Sequence, residues 1–222
     1  MKTKPALHYE RLTGPAIRDV FDELARLRIA VFRDFPYLYE GSVDYERTYL
    51  DTYARSERAL LFAAWDGDRM VGATTALPLL DETDEVQQPF RDAGYDLSTV
   101  FYFGESILLP DYRGYGLGHR FFDEREAHAR QFGAYTMTCF CAVQRPIDHP
   151  QRPADYRPLD EFWQKRGYRQ EPALQSTFHW PDIGETESTG KVMVYWVKAL
   201  TPNPSRDGGP PKTGEGSNHR SS

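Results

Sequence analysis

The sequence predicts a mixed α/β domain built around one packed sheet, and three observations carry that prediction. Stretches with helical apolar spacing alternate with short apolar runs of strand length. Their order along the chain reads β-α-α-β-β-β-α-β-α-β-β, a sequence of elements that buries its apolar faces best as helices on a sheet. A strand also runs through a glycine-rich loop straight into a helix at 108–122, LLPDYRGYGLGHRFF.

The elements follow in order. Leu7 to Thr13 reads as a first strand. Gly14-Pro15 opens a helix, because proline suits a first helical turn, and Ile17, Val20, Phe21, Leu24, Leu27 and Val31 recur at helical spacing. The stretch FRDFPYLYEG breaks this pattern at Pro36 and Gly41, and a second helix runs from about Tyr45 to Ala54. Ala59 to Trp65 and Met70 to Leu80 are apolar runs joined by Asp66-Gly67-Asp68, a hairpin signal. Residues 81–99 form a polar insertion with a short helix near Val86 to Arg91. Val100 to Leu109 is a strand, Gly116 to Phe132 a helix, and Gly133 its C-cap. Tyr135 to Val143 is a strand, followed by the Pro-rich loop 144–158 and a short helix at 159–167. Strands at Tyr168 to Trp180 and Lys191 to Leu200 close the domain.

Composition narrows the function. With 222 residues, 40% hydrophobic and 27% charged, the chain has enough material for one domain with a proper core. That domain is residues 1–200. The segment 201–222 is rich in Pro, Gly and Ser and has no large apolar residue, so it reads as a disordered tail. The net charge of −6 argues against broad nucleic-acid binding, which needs a basic surface. No apolar run approaches the roughly 18 residues of a membrane span, and the start lacks the apolar segment of a signal peptide. Cys139 and Cys141 are two residues apart, too close in a strand for a relaxed disulfide. They fit no zinc spacing, and a reducing cytoplasm is their simplest setting. His119 and His128 lie nine residues apart on one helix, which is not the spacing of a metal pair, so no metal is expected.

The chemistry concentrates in the loop. Gly114, Gly116 and Gly118 let the backbone approach a ligand closely. The unpaired N–H groups of the following helix start then face that ligand, and the helix dipole favours an anion such as a pyrophosphate. No Gly-Lys-Ser/Thr follows, so this is not a nucleotide P-loop, and the spacing is not that of a dinucleotide fingerprint.

Arg113-Gly114-Tyr115-Gly116-Leu117-Gly118 resembles the Q/R-x-x-G-x-G/A coenzyme A loop of the GNAT superfamily of acetyltransferases. The strand ending at Pro110, the helix after the loop and the late FWQKRGY (162–168) are similar to that family's pattern too. The resemblance implies a GNAT-like mixed, mostly antiparallel central sheet flanked by helices. It implies acetyl-CoA as acyl donor, held at its pyrophosphate by the amides from Tyr115 to Gly118, with Arg113 at the loop entrance. Ile107, Leu108 and Leu109 would offer backbone groups to the pantetheine arm, as an added pseudo-strand. In the family this strand is bulged and splays from the next one, and Leu108 stands where an N–H would meet the thioester oxygen.

The acceptor is then an amine, which must lose a proton to attack. Glu105 is the only acid in VFYFGESILL, and a carboxylate in an apolar strand is costly unless paired or functional. It is the candidate base; the competing reading is a glutamate on the other face, paired with an arginine. Strand parity puts Tyr102 and Gly104 opposite Glu105, unless a bulge changes the phase. Many family members protonate the departing thiolate with a tyrosine four residues before the glycine of the late helix. Here that position is Trp163, whose indole is no useful acid, and Tyr156 and Tyr168 are nearby substitutes. PYLYEG (36–41), with Tyr45 and Tyr49, could wall an acceptor pocket or simply pack under a loop. The expected partner is a small-molecule amine, with a protein or peptide amine as a variant and a non-catalytic acyl-CoA sensor as the alternative. A homodimer is compatible with the sequence.

Overall fold

The structure is a computed structural model that describes residues 5–201; the expected tail, apart from Thr201, lies outside the described residues. Among them the strands are β1 (His8–Thr13), β2 (Leu60–Asp66), β3 (Arg69–Pro78), β4 (Val100–Leu108), β5 (Met137–Val143), β6 (Arg169–Trp180) and β7 (Thr189–Ala199). They form one sheet in the order β1-β2-β3-β4-β5-β7-β6. Every neighbouring pair is antiparallel except β4 and β5, which are parallel. The helices are α1 (Phe21–Phe32), α2 (Val43–Arg55), α3 (Asp84–Asp92), α4 (Leu117–Gln131) and α5 (Asp160–Lys165).

Local chemistry accounts for most boundaries. Gly67, at φ +57°, turns the β2–β3 hairpin, a geometry glycine adopts without strain. Gly133, at φ +68°, ends α4 and donates its N–H to Arg130 O at 3.1 Å. The first helix differs from the periodicity. Gly14–Val20 is a tighter 3₁₀ segment, and the α-helix begins only at Phe21, after Val20 leaves helical geometry at φ −121°. α3 is the short helix expected near Val86 to Arg91 in the polar insertion, extended to Asp84–Asp92, though the predicted order of elements left it out.

The sheet has a layer on each face. α1 and α2 cover one face with a core that includes Leu24, Leu27, Leu50, Tyr53, Leu61, Ala63, Tyr102 and Ile107. On the other face Phe101, Phe103, Phe122, Phe140, Tyr168 and Trp196 form an aromatic core against α4, with Phe162 and Trp163 of α5 packed onto it. β4 changes phase along its length. Val100 and Tyr102 point to the α1/α2 face, Phe101 and Phe103 to the α4 face, yet Ile107 points to α1/α2 again. The register with β3 slips between Thr74 and Ala76, opposite Phe103 to Ser106. This bulge inserts one residue and re-aims the side chains beyond it. No helix among the described residues is long and apolar enough to cross a membrane.

Candidate active site

Two features of β4 make the site. The first is its parting from β5. The parallel pairing runs through Val100–Met137, Phe101–Thr138 and Tyr102–Cys139 and then stops, while β4 continues to Leu108 and β5 to Val143. A cleft opens between the two strands at their carboxyl ends. There β4 has spare backbone groups. Leu109 gives its N–H to Val71 O at 2.9 Å, and antiparallel alternation turns Ile107 the same way, towards β3. Ser106 and Leu108 therefore present their amides to the cleft. Of the three expected backbone positions, Leu108 faces the opening, while the amides of Ile107 and Leu109 turn towards β3. Ser106 was not among the expected positions, although plain strand alternation from Leu108 gives its amide the same direction.

The second feature is the bulge itself, which brings Glu105 to the face carrying Tyr102. Simple parity had placed these two residues on opposite faces. Glu105 is buried, its N–H donates to Thr75 Oγ1 at 3.1 Å and its carbonyl accepts from Thr74 Oγ1 at 2.7 Å. Its carboxylate meets Arg28 of α1, whose Nη1 donates to Oε2, and the same guanidinium donates through Nε to Glu46 of α2. Arg28 lies under Tyr49, 4.2 Å from its ring centroid. Two buried carboxylates thus share one buried cation, and Oε1 of each is without a hydrogen-bond partner. Burial pushes the Glu105 carboxyl above its ordinary range, against the pull of Arg28. Burial also opposes the charge on Arg28, but Glu105, Tyr49 and Glu46 outweigh it, so the guanidinium stays protonated. Glu105 is therefore the arginine-paired glutamate of the structural reading, turned to the face that carries Tyr102.

Next to the bulge Gly104 has no room for a side chain. A Cβ there would lie 1.9 Å from Tyr53 Oη and 2.6 Å from Thr75 Oγ1. Tyr53 Oη also lies 3.1 Å from Tyr49 Oη and donates to Glu82 Oε1 at 3.2 Å.

The loop after β4 is tied at its start, where Tyr112 Oη donates to Asp66 Oδ2 at 2.6 Å and Arg113 Nε to Leu108 O at 3.2 Å. Gly114 and Gly116 sit at φ +87° and +84°, the left-handed region that other residues rarely adopt. Gly116 is the N-cap of α4, with no side-chain cap, and its carbonyl accepts the first helical bond, from Arg120 N at 3.2 Å. The N–H groups of Leu117, Gly118 and His119 are the unpaired donors of that helix start. No atom lies within 4 Å of a Cβ built on Gly114 or Gly116, so these amides border open space. Arg113 is exposed and Tyr115 half-buried.

The far wall comes from the loop after α1. Arg145 donates to Pro36 O at 2.7 Å, to Tyr37 O at 2.8 Å and to both carboxylate oxygens of Asp182 at 2.8 Å. Trp180 Nε1 also donates to Tyr37 O at 3.0 Å. This clamp fastens the loop to the β6–β7 hairpin. Leu38 and Tyr39 pack as core, while Tyr37 and Phe35 stay half-buried, so PYLYEG combines both sequence readings. Phe35 meets Tyr156 edge-on at 4.7 Å. Trp163 packs at 5.0 Å from Phe140 and 5.1 Å from Trp196 on the α4 face. Tyr168 is bonded to Thr138 Oγ1 at 3.0 Å and Glu126 Oε1 at 3.2 Å in the same layer, which removes it as a substitute acid. Burial pushes the Cys141 thiol up to about 12, so it is no ready nucleophile. His128 bonds to Arg58 O at 2.8 Å and to Arg11 at 2.9 Å, a structural role.

Comparisons with known proteins agree with this geometry. The sequence matches the acetyltransferase (GNAT) family over residues 24–153. The fold is similar to Arabidopsis thaliana NAA60 in complex with a bisubstrate analogue, with TM-score 0.55 and 12% identity over 89% of this chain and 100% of that one. It is similar to an acetyltransferase from Thermus thermophilus, with TM-score 0.51 and 16% identity over 89% and 99% of the two chains. A GNAT-family acetyltransferase from Streptococcus pneumoniae aligns with TM-score 0.51 and 12% identity over 88% and 99%. No curated protein matches by sequence. Sequence match and shared fold lead to one assignment: this chain belongs to the GNAT acetyltransferase family.

Proposed function

We propose that this protein is an N-acetyltransferase that moves an acetyl group from acetyl-CoA to the amine of a small molecule by direct attack. The observation that carries the proposal is the cleft between β4 and β5, which begins after Tyr102–Cys139 and leads to the uncapped start of α4. The residues fit coenzyme A. The N–H groups of Leu117, Gly118 and His119, with the open backbone of Gly114 to Gly116, suit a pyrophosphate, and an N-terminal dipole adds to the attraction. Arg113 supplies a positive charge at the entrance. The amides of Ser106 and Leu108 suit the pantetheine arm and the thioester oxygen. When bound, the thioester supplies an activated acyl group, so the protein's work is alignment and proton removal.

Glu105 takes the amine proton. Its carboxylate has lone pairs to accept it, and burial, against the pull of Arg28, raises its proton affinity, the direction a general base needs. Arg28 and Glu46 hold the carboxylate in place. Tyr37, Phe35 and Tyr156 form the acceptor wall on the same side. The buried free thiols suit a reducing compartment such as the cytoplasm.

Two measurements test this reading. Calorimetry should show acetyl-CoA binding and ATP not. Acetyl-CoA with a panel of small amines should release free thiol. ATP binding without acetyl-CoA binding would end the proposal, and acetyl-CoA binding with no thiol release from any amine would make the protein a sensor of acyl-CoA.

A further inference from the structure

Trp163 leaves the departing sulfur without the tyrosine expected from α5, and the cleft contains another phenol. Tyr102 is the last β4 residue paired to β5. Its ring reaches across the parting strands, and its Oη lies 3.2 Å from Sγ of Cys141, one strand turn further along β5. Both residues are buried, at 3% and 9% exposure. The bulge puts this hydroxyl on the same sheet face as Glu105 and Arg28, where Tyr102 and Ile107 share one core. Among the described residues Cys141 is its hydrogen-bond partner, and a thiol is a weak acceptor. The hydroxyl is therefore held at the cleft, already beside a sulfur, and gives up little by turning to a stronger acceptor.

We infer that Tyr102 donates a hydrogen bond to the coenzyme A sulfur as the carbon–sulfur bond breaks, taking the place of the missing tyrosine on α5. The inference rests on the acetyl-transfer reading above. As the C–N bond forms, the C–S electron pair passes to sulfur, where the Tyr102 O–H stabilises the charge. The amine loses one proton to Glu105 before attack and a second as the amide forms. The sulfur takes one from solvent, and one proton is released overall. Tyr102 keeps its own proton, because burial, then the neighbouring Cys141, holds the phenol well above its ordinary range. The same burial excludes Tyr102 as a base in place of Glu105.

The test needs only coenzyme A. The ionisation of its thiol is followed by thiolate absorbance when bound to wild type and to Tyr102→Phe, which removes one hydroxyl. The bound thiol should be about 10- to 100-fold less acidic in the variant, the usual worth of a hydrogen bond to a charged group. Affinity for acetyl-CoA and the melting temperature should stay near wild type. In turnover, kcat should fall by a similar factor with KM for acetyl-CoA unchanged. Cys141→Ser is the second variant. Its oxygen is a stronger acceptor, so it should hold back the Tyr102 hydroxyl and also make the bound thiol less acidic. Wild-type acidity in Tyr102→Phe, or in Cys141→Ser should the first variant not fold, overturns the inference. Failure of wild type to bind coenzyme A at all overturns the acetyl-transfer reading itself.

Discussion

Glu82 should make the stability of this protein fall as pH rises through the neutral range. It follows the short turn Leu79–Asp81 and is 7% exposed. Its carboxylate accepts from Tyr53 Oη at 3.2 Å and Thr83 N at 3.0 Å. Burial pushes the carboxyl from 4.5 up to about 7, with those two hydrogen bonds pulling the other way. The folded chain then holds a proton that the unfolded chain has lost. The stability this gives is complete below pH 4.5 and disappears as pH rises through 7. At about 1.4 kcal/mol per unit, the effect is at most about 3–4 kcal/mol. Glu82→Gln removes the titration and keeps an acceptor for Tyr53. Urea unfolding of both proteins from pH 4.5 to 8 gives the difference, in which the other titrating groups cancel. The two should be near equal at the acid end, and the variant more stable by at most about 3–4 kcal/mol at pH 8. Parallel stability curves across that range would show that the carboxylate is solvated or paired, and the reasoning would be wrong.

Three further outcomes follow. Glu105→Gln should keep acetyl-CoA affinity and lose turnover by about 10²–10⁴-fold, with the acid limb of the pH–rate profile moved or gone; a folded variant with normal turnover and an unchanged limb would assign Glu105 to the Arg28 ion pair alone. That variant also leaves Arg28 only Glu46, so a fall of a few kcal/mol in stability would measure the structural share. Gly116→Asp should weaken acetyl-CoA binding sharply, since the site has space for the side chain but the φ of +84° is strained for aspartate and its charge repels a pyrophosphate; unchanged calorimetry would remove the loop from the site. A chain ending near Pro202 should keep the melting temperature and acetyl-CoA affinity of the full protein, because residues 203–222 offer nothing to bury; a large loss of either would show that the segment docks.

Most of the element order was legible because it depends on local periodicity. Alternating runs, the Asp66-Gly67-Asp68 turn and the Gly133 cap each fix a boundary through the backbone freedom of a few adjacent residues. The glycine loop before α4 was legible for the same reason: Gly114 and Gly116 adopt positive φ, and that freedom is written in the residue type. The start of α1 was not, since seven residues at tolerable helical spacing can also form a tighter turn, and tertiary packing chose.

The sequence by itself determined three charges that break apolar patterns. Arg28 lies on the stripe with Leu24, Glu46 on the stripe with Leu50 and Tyr53, and Glu105 within an apolar strand. Each alone is an expensive burial that needs a partner. That the three are one another's partners was decided only when α1, α2 and β4 packed together. The tertiary structure likewise decided which way Glu105 points. A one-residue slip against β3 reverses every side chain beyond it, and where that slip falls is fixed only by the pairing with β3. Beside the slip Tyr53 fills the space at Gly104, a contact between residues 51 positions apart in the chain.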